Sequence, residues 1–386
     1  MSRFRLSDHD QLLVGLTLAI KVLLLLGGAA AYAWFQTHAG GPLQIWNRWD
    51  APHYLDLAVF GYRATDAGDL FGPNGYRSVF PGDLPLYIVF YPLFPWLITA
   101  VNAVIGNPLV SAFVVSGVAS LFVAPLMYRL VRQDESPAVA LRSAWFLLIF
   151  PTAYFLQIGY TESLFLALVL GSFLAARTRR WLLAGILGGL AAMTRINGLV
   201  LLLALAVEAI TQWYEQPPGE RKLRPGWLAI GLVGLGFGAY LALNQAVYDD
   251  PFTFLEVQRD HWHKQAAPPW EGIATAFRWF GDRDLENVLL YGGAELLFAG
   301  IGLAATVFAA FRFRPSWFAW MAGNWLLFTS TAFLLSVPRY TLTLFPLMVA
   351  LALASRERAM LVALSVVSAA GFVYFAARFT LGGWAF

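Results

Sequence analysis

The chain contains no cysteine, so disulfides, thiolate nucleophiles and cysteine-held metals are excluded. It is also poor in charge: 13% of its 386 residues are Asp, Glu, Lys or Arg, against about 25% in an average soluble domain. No Asn-x-Ser/Thr sequon occurs. No internal repeat is visible, which removes the usual sign of an inverted-repeat transporter. The small net charge of +3 gives no basic face for nucleic acid.

What the chain has is apolar surface. Hydrophobic residues make up 59% of it, and its mean hydropathy is +0.62. A water-soluble core cannot hide that much, so lipid must solvate part of it. Aromatics are abundant, with Trp 15, Tyr 15 and Phe 31, as interfacial belts and sugar-facing surfaces require. Apolar segments recur at about 11–35, 108–130, 138–156, 160–177, 181–194, 196–214, 226–248, 286–311, 315–336, 339–355 and 359–379. They predict an all-α polytopic membrane protein of about 11 transmembrane helices, read as one domain over 1–386. The run at 11–35 could serve as a cleaved signal, but retaining it keeps the topology consistent.

Between the segments lie basic clusters: Arg3/Arg5, Arg129/Arg132, Arg177/Arg179/Arg180, Arg221/Lys222/Arg224, Arg312/Arg314 and Arg356/Arg358. A cytoplasmic N-terminus puts every cluster on the cytoplasmic side, as the positive-inside rule asks. Two long loops, about 36–107 and 249–285, then lie outside. The stretch 84–106 has the apolarity of a further span. Making it one would invert every later loop, and Pro85, Pro92, Pro95 and Gly106 break it. An amphipathic or re-entrant helix at the outer interface is expected instead.

Four polar islands fall at the predicted outer face. The first is Arg48-Trp49-Asp50-Ala51-Pro52-His53-Tyr54, with Asp56 beyond it. Asp50 is either a solvated helix cap or a general base at the membrane edge. The second, Gln157 to Phe165, carries Glu162 at the start of an apolar run. That acid either complements the helix dipole, with Thr161 capping, or lines a site. The third holds Arg195 and Asn197. An arginine facing an outer cavity suits a phosphate or carboxylate, and a pair with Glu162 is compatible with that. The fourth joins His261, Trp262 and His263 to Pro338-Arg339-Tyr340. Two histidines without a third ligand make a poor metal site. Hydrogen bonding to phosphate or sugar, with Trp262 as a platform, fits them better. A base, several cations and aromatics on one face would suit transfer from a phosphate-linked lipid.

These residues resemble the PIG-V-type mannosyltransferases, a branch of the membrane-embedded GT-C glycosyltransferases. The matches run in order: Trp49-Asp50-x-x-His53-Tyr54, Ala58-x-x-Gly61-Tyr62 and Phe90-Tyr91-Pro92-Leu93-Phe94-Pro95, then Gly159-Tyr160-Thr161-Glu162-Ser163-Leu164-Phe165 and Arg195-x-Asn197-Gly198-Leu199-Val200. They cover about residues 45–200, and the missing sequons point to a bacterial member. The resemblance implies a GT-C-like bundle with interfacial helices in its first outer loop. It implies inverting transfer of mannose from a polyprenyl-phosphate-mannose donor to a hydroxyl of a lipid-linked or glycan acceptor. This takes place at the outer face of the cell membrane and needs no metal or cofactor. Asp50 would be the base. Arg195 and Arg339, with His261 or His263, would hold the leaving phosphate. Trp49, His53, Tyr54, Glu162, Asn197 and Trp262 would contact sugar or acceptor. The competing readings are a GT-C enzyme using another polyprenyl-phosphate hexose, a lipid or sugar flippase, and a non-catalytic scaffold. A flippase calls for polar groups near mid-membrane and internal symmetry.

Overall fold

The computed structural model describes residues 7–35, 41–63, 72–78 and 81–386. The Arg3/Arg5 cluster lies outside them. Among the described residues there are helices and no strand. In order they are α1 (Asp8–Phe35), α2 (Ala51–Phe60), α3 (Leu93–Ile105), α4 (Pro108–Val131), α5 (Pro137–Ile149) and α6 (Glu162–Arg177). Then come α7 (Trp181–Ala192), α8 (Val200–Tyr214), α9 (Gly231–Tyr248), α10 (Thr253–Asp260), α11 (Pro269–Arg278) and α12 (Leu285–Asn287). A π turn, Val288–Ala294, joins α12 to α13 (Glu295–Arg312). The chain ends with α14 (Pro315–Thr329), α15 (Val337–Thr341), α16 (Phe345–Ala354) and α17 (Arg358–Thr380).

Every one of the predicted apolar runs contains a helix. Among the described residues, six helices are long and apolar enough to cross a membrane, by length and composition. The others among those runs, α5, α6, α7, α14 and α16, have 10 to 16 residues. At a rise of 1.5 Å they reach about 15–24 Å, short of the roughly 30 Å of a hydrocarbon core. Local chemistry stops them. α5 ends at Phe150, whose extended ψ of 145° is what the following Pro151 demands. α7 ends before Arg195, which is fully extended at φ −156°. The polar islands are these interruptions.

The 84–106 stretch forms the end of a 3₁₀ segment, Pro81–Val89, and then α3. α3 runs back alongside α4 because Gly106 turns the chain left-handed (φ 71°). The Asn107 side chain then caps α4 by accepting from the Val110 N–H at 3.1 Å. At the inner end, the Leu93 N–H donates to the Met193 carbonyl at 3.0 Å. Elsewhere small residues bring backbones together. A Cβ on Gly236 would come within 2.1 Å of the Gly189 carbonyl oxygen, so α7 and α9 touch only because both are glycine.

One end of the bundle gathers the basic clusters. Arg129 pairs with Asp10 at 2.6 Å, Arg177 with Asp134 at 2.6 Å and Arg312 with Glu135 at 3.3 Å. Arg314 reaches both Glu208 and Glu215. These contacts tie the start of α1 to the ends of α4, α6, α8 and α13. The sequence topology assigns all of them to one side.

Candidate active site

Asp50 sits at the N-cap position of α2, yet its side chain makes no capping hydrogen bond. The chain approaches it through Trp49, held left-handed at φ 55°. That conformation costs a non-glycine residue about 1–2 kcal/mol. It turns the Asp50 carboxylate toward α15, where Arg339 Nη1 donates to Asp50 Oδ2 at 2.6 Å. Arg339 Nε donates in turn to Glu162 Oε1 at 2.5 Å. Arg195 Nη1 donates to that same Glu162 oxygen and, at 2.9 Å, to Thr161 Oγ1. All four polar islands thus converge on one ion network. Glu162 lines this network, and Thr161 makes no side-chain cap.

Burial sharpens the network. The Glu162 side chain is 0% exposed and that of Arg339 6%, while Asp50 at 31% opens to the outside. Glu162 Oε2 is buried with no hydrogen-bond partner among the described residues, which leaves one acceptor facing inward. The rings of Phe155 and Tyr160 lie 4.6 and 4.8 Å from the Arg339 guanidinium and shield it further. Burial alone would push the Asp50 carboxyl up. The charge and hydrogen bond of Arg339, helped by His53 and Arg195, outweigh burial and hold it below the ordinary carboxylate range.

A fifth charged residue joins the group. Lys264 Nζ donates to the Tyr340 hydroxyl at 3.0 Å, with Arg195 5.5 Å from the same ring. Asp50 and Glu162 thus share their surroundings with three cations, Arg195, Lys264 and Arg339. Lys264 belongs to the 257–265 stretch, where sequence singled out its neighbours. His261 and His263 themselves are exposed. His263 is left-handed (φ 52°) and turns the chain so that the next residue reaches Tyr340. Glu295 supports the network from below. It is fully buried and accepts from the Ser336 and Val337 N–H groups at 2.8 Å each. Ser336 is a third left-handed residue, at φ 67°.

The remaining candidates divide. His53 packs against Tyr87, Phe90 and Trp262, with centroids 4.3, 5.1 and 5.7 Å away. The Trp262 indole N–H has no hydrogen-bond partner among the described residues. Together they make an aromatic wall one helical turn from Asp50. Tyr54 is buried among Phe90, Phe94 and Tyr160. Trp49 is exposed and meets Trp384 edge-on at 5.0 Å. Asn197 faces away from the network and donates to Asn324 Oδ1 at 2.8 Å, bracing α14. Asp56 is also separate. It is fully buried and accepts from the Tyr76 and Ser78 hydroxyls at 2.7 Å each, fastening the 72–78 segment to α2.

The short helices set the depth. Glu162 opens α6, Arg195 follows α7 and Arg339 precedes α16. Measured along these helices, of 16, 12 and 10 residues, the network lies about 15–24 Å from the basic end. The sequence topology assigns the islands to the outer face; within the bundle, Glu162 and Arg339 are buried.

Residues 85–241 match the family described as dolichyl-phosphate-mannose-protein mannosyltransferase. A comparison with curated proteins finds no match. Among solved structures the chain is similar to ArnT from Cupriavidus metallidurans bound to undecaprenyl phosphate. The TM-score is 0.51 at 16% identity, over 94% of this chain and 64% of that one. Archaeal oligosaccharyltransferase AglB from Archaeoglobus fulgidus, in complex with an inhibitory peptide and a dolichol-phosphate, matches with TM-score 0.49 at 14% identity. That match covers 96% of this chain and 55% of AglB. The chain thus spans less than two thirds of the length of either. The fold is that of the GT-C membrane glycosyltransferases, and the chain is an integral membrane protein.

Proposed function

We propose that this protein is an inverting glycosyltransferase. It moves mannose from a polyprenyl-phosphate-mannose donor to a hydroxyl of a lipid-linked or glycan acceptor. The observation that carries this reading is the Asp50 carboxylate, 31% exposed and held by Arg339 in a network that also contains Arg195 and Lys264. The description of the family matching 85–241 supports the mannose donor. The PIG-V-type motifs around Asp50 and Glu162 support the subtype.

In the step envisaged, the acceptor oxygen attacks the anomeric carbon while the bond from that carbon to the phosphate oxygen breaks. Asp50 takes the hydroxyl proton, so it must be ionised, and its depressed proton affinity keeps it so. The electron pair leaves with the polyprenyl phosphate. Arg195, Lys264 and Arg339 are the fixed cations that stabilise it. The phosphate draws Arg339 from Asp50 as it binds, which restores basicity to the carboxylate. His261 and His263, in the loop carrying Lys264, add donors at the rim. Glu162 Oε2 and the Trp262 indole N–H have open hydrogen-bonding capacity for sugar hydroxyls. Trp49, His53 and Tyr54 shape the surrounding wall. No metal enters this step, because guanidinium groups already face both carboxylates.

The basic clusters, tied together at the opposite end, support a cytoplasmic N-terminus and an extracytoplasmic site in the cell membrane. One membrane domain over 1–386 belongs to the same reading. The test is transfer of labelled mannose from a short-chain polyprenyl-phosphate mannose to a membrane lipid extract by purified protein, wild type beside Asp50→Asn. Product from the wild type alone supports the enzyme and its base. Equal turnover by both removes Asp50 from the chemistry. Turnover only with another hexose donor corrects the sugar.

A further inference from the structure

A cavity of about 400 Å³ lies between α1, α5 and α17, with Trp46 of the segment leading to Asp50 in its lining. α1 and α17 form its walls, and Leu148 and Ile149 of α5 form its back. Small residues open it, among them Gly27 and Ala31 of α1 and Ala377 of α17. Its rim residues Leu23, Phe35 and Val373 are exposed, so it communicates with the surface. Its lining is apolar apart from two residues at one end, Trp46 and Thr380.

That end points to a ligand. Trp46 is 2% exposed, and its indole N–H has no hydrogen-bond partner among the described residues. The ring fits there because position 28 is glycine. A Cβ on Gly28 would stand 2.7 Å from Trp46 Cζ2. An unpaired buried donor costs about 1–3 kcal/mol, and a lipid bearing an oxygen near its head would satisfy it. The same end adjoins the ion network. Trp46 packs on Phe379 at 5.9 Å, and Phe379 on Tyr160 at 5.9 Å. Tyr160 lies against the Arg339 guanidinium and donates through its hydroxyl to the Arg48 carbonyl at 2.5 Å. The Arg48 guanidinium donates to the Thr380 carbonyl at 3.2 Å. Phe379 and Tyr160 thus stand between Trp46 and the Arg339 that holds Asp50.

We infer that this groove holds the hydrocarbon tail of the acceptor, and hence that the acceptor is a lipid carrying a free hydroxyl. The inference rests on the proposal that Asp50 is the base. An inverting displacement brings nucleophile and leaving group from opposite faces of the anomeric carbon. Arg195, Tyr340 and Lys264 lie beyond Arg339 and mark the phosphate side. The groove meets the loop carrying Asp50, which is the nucleophile side.

The experiment uses the full chain in phosphatidylcholine nanodiscs. The probe is an alkyl glucoside with a diazirine in its tail, and crosslinks are mapped by mass spectrometry. Saturable labelling of α1 and α17 is expected, competed by dodecyl glucoside and not by farnesyl phosphate. Trp46→Phe should weaken that competition by about 2- to 10-fold, the loss of one hydrogen bond. Gly27→Leu should abolish saturable labelling, and the change is sterically tolerated because a Cβ there meets nothing within 4 Å. Competition by farnesyl phosphate would assign the groove to the donor and overturn the inference. Non-saturable labelling, matched by a diazirine phosphatidylcholine, would mean surrounding lipid only and would also overturn it. Labelling needs no turnover. Saturable labelling by a protein that transfers no sugar would therefore count against the transferase reading alone.

Discussion

Asp50 and Arg339 stand 289 positions apart in the chain, and their side chains meet at 2.6 Å. Arg339 also holds Glu162, so a single guanidinium bridges the first island to the second. The chemistry proposed for this protein passes through that bridge.

If Asp50 is the base, Asp50→Asn should lower transfer by about 10²–10⁴-fold. Binding of the donor, measured with a non-transferable phosphonate analogue, should remain. Loss of binding in step with activity would make Asp50 a donor ligand instead.

Acid should reveal the same carboxylate. Its folded-state proton affinity is depressed, so it remains ionised below the ordinary aspartate value of about 3.9. Its ion pair is therefore fully formed at neutral pH and is lost only as pH falls through the depressed value. The acid limb of the kcat/KM profile should lie below pH 4, to the extent the protein survives there. A limb near pH 6 that persists in His53→Gln would contradict this assignment.

Removing Arg339 should damage stability as well as activity. Arg339→Ala leaves the buried Glu162 short of a partner, a change that costs about 3–5 kcal/mol in comparable pairs. Arg339→Ala combined with Glu162→Gln should recover part of that loss, because the uncompensated charge is gone. Thermal unfolding in detergent checks both. Additive losses would show that the two residues act independently.

Lys264→Ala should raise KM for the donor by roughly 10–100-fold, the worth of one charge-assisted hydrogen bond. kcat should change less. His261→Ala and His263→Ala, at exposed positions, should have smaller effects in the same assay. A kcat defect at unchanged KM would move Lys264 out of phosphate binding.

Glu295 is a positioning residue. Glu295→Ala leaves the buried Ser336 and Val337 N–H groups unpaired, at about 1–3 kcal/mol each. Stability should fall, and kcat should fall with it as Arg339 loses its footing. Glu295→Gln keeps an acceptor and should restore much of kcat. Equal kcat in all three proteins would reduce the role of Glu295 to stability.

Membrane class, helix content and polar islands are written in local composition, so sequence shows them. Asp50, Glu162, Arg195 and Arg339 are legible for a related reason. A charge at the edge of an apolar run is costly, and the cost marks a function. Lys264 was hidden beside two histidines, because no pattern announces the left-handed turn at His263. Glu295 stands as an acid nine residues inside the apolar 286–311 run, and that is a signal sequence carries. Asn197 matched a motif, yet its partner Asn324 lies 127 positions on, a distance no motif spans. Helix shortness was hardest to see, since the apolar runs continue through turns such as 150–161 that are not regular helix.

The long span between Asp50 and Arg339 has a consequence for biogenesis. During synthesis the chain enters the bilayer in order, and Glu162 can meet Arg195 once α8 arrives. Asp50 must wait for its hydrogen-bonding cation until α15 is made. A transfer-competent site therefore cannot form on a partly translated chain. Truncation before residue 339 should expose an unpaired acid near the membrane, a feature quality-control proteases could recognise.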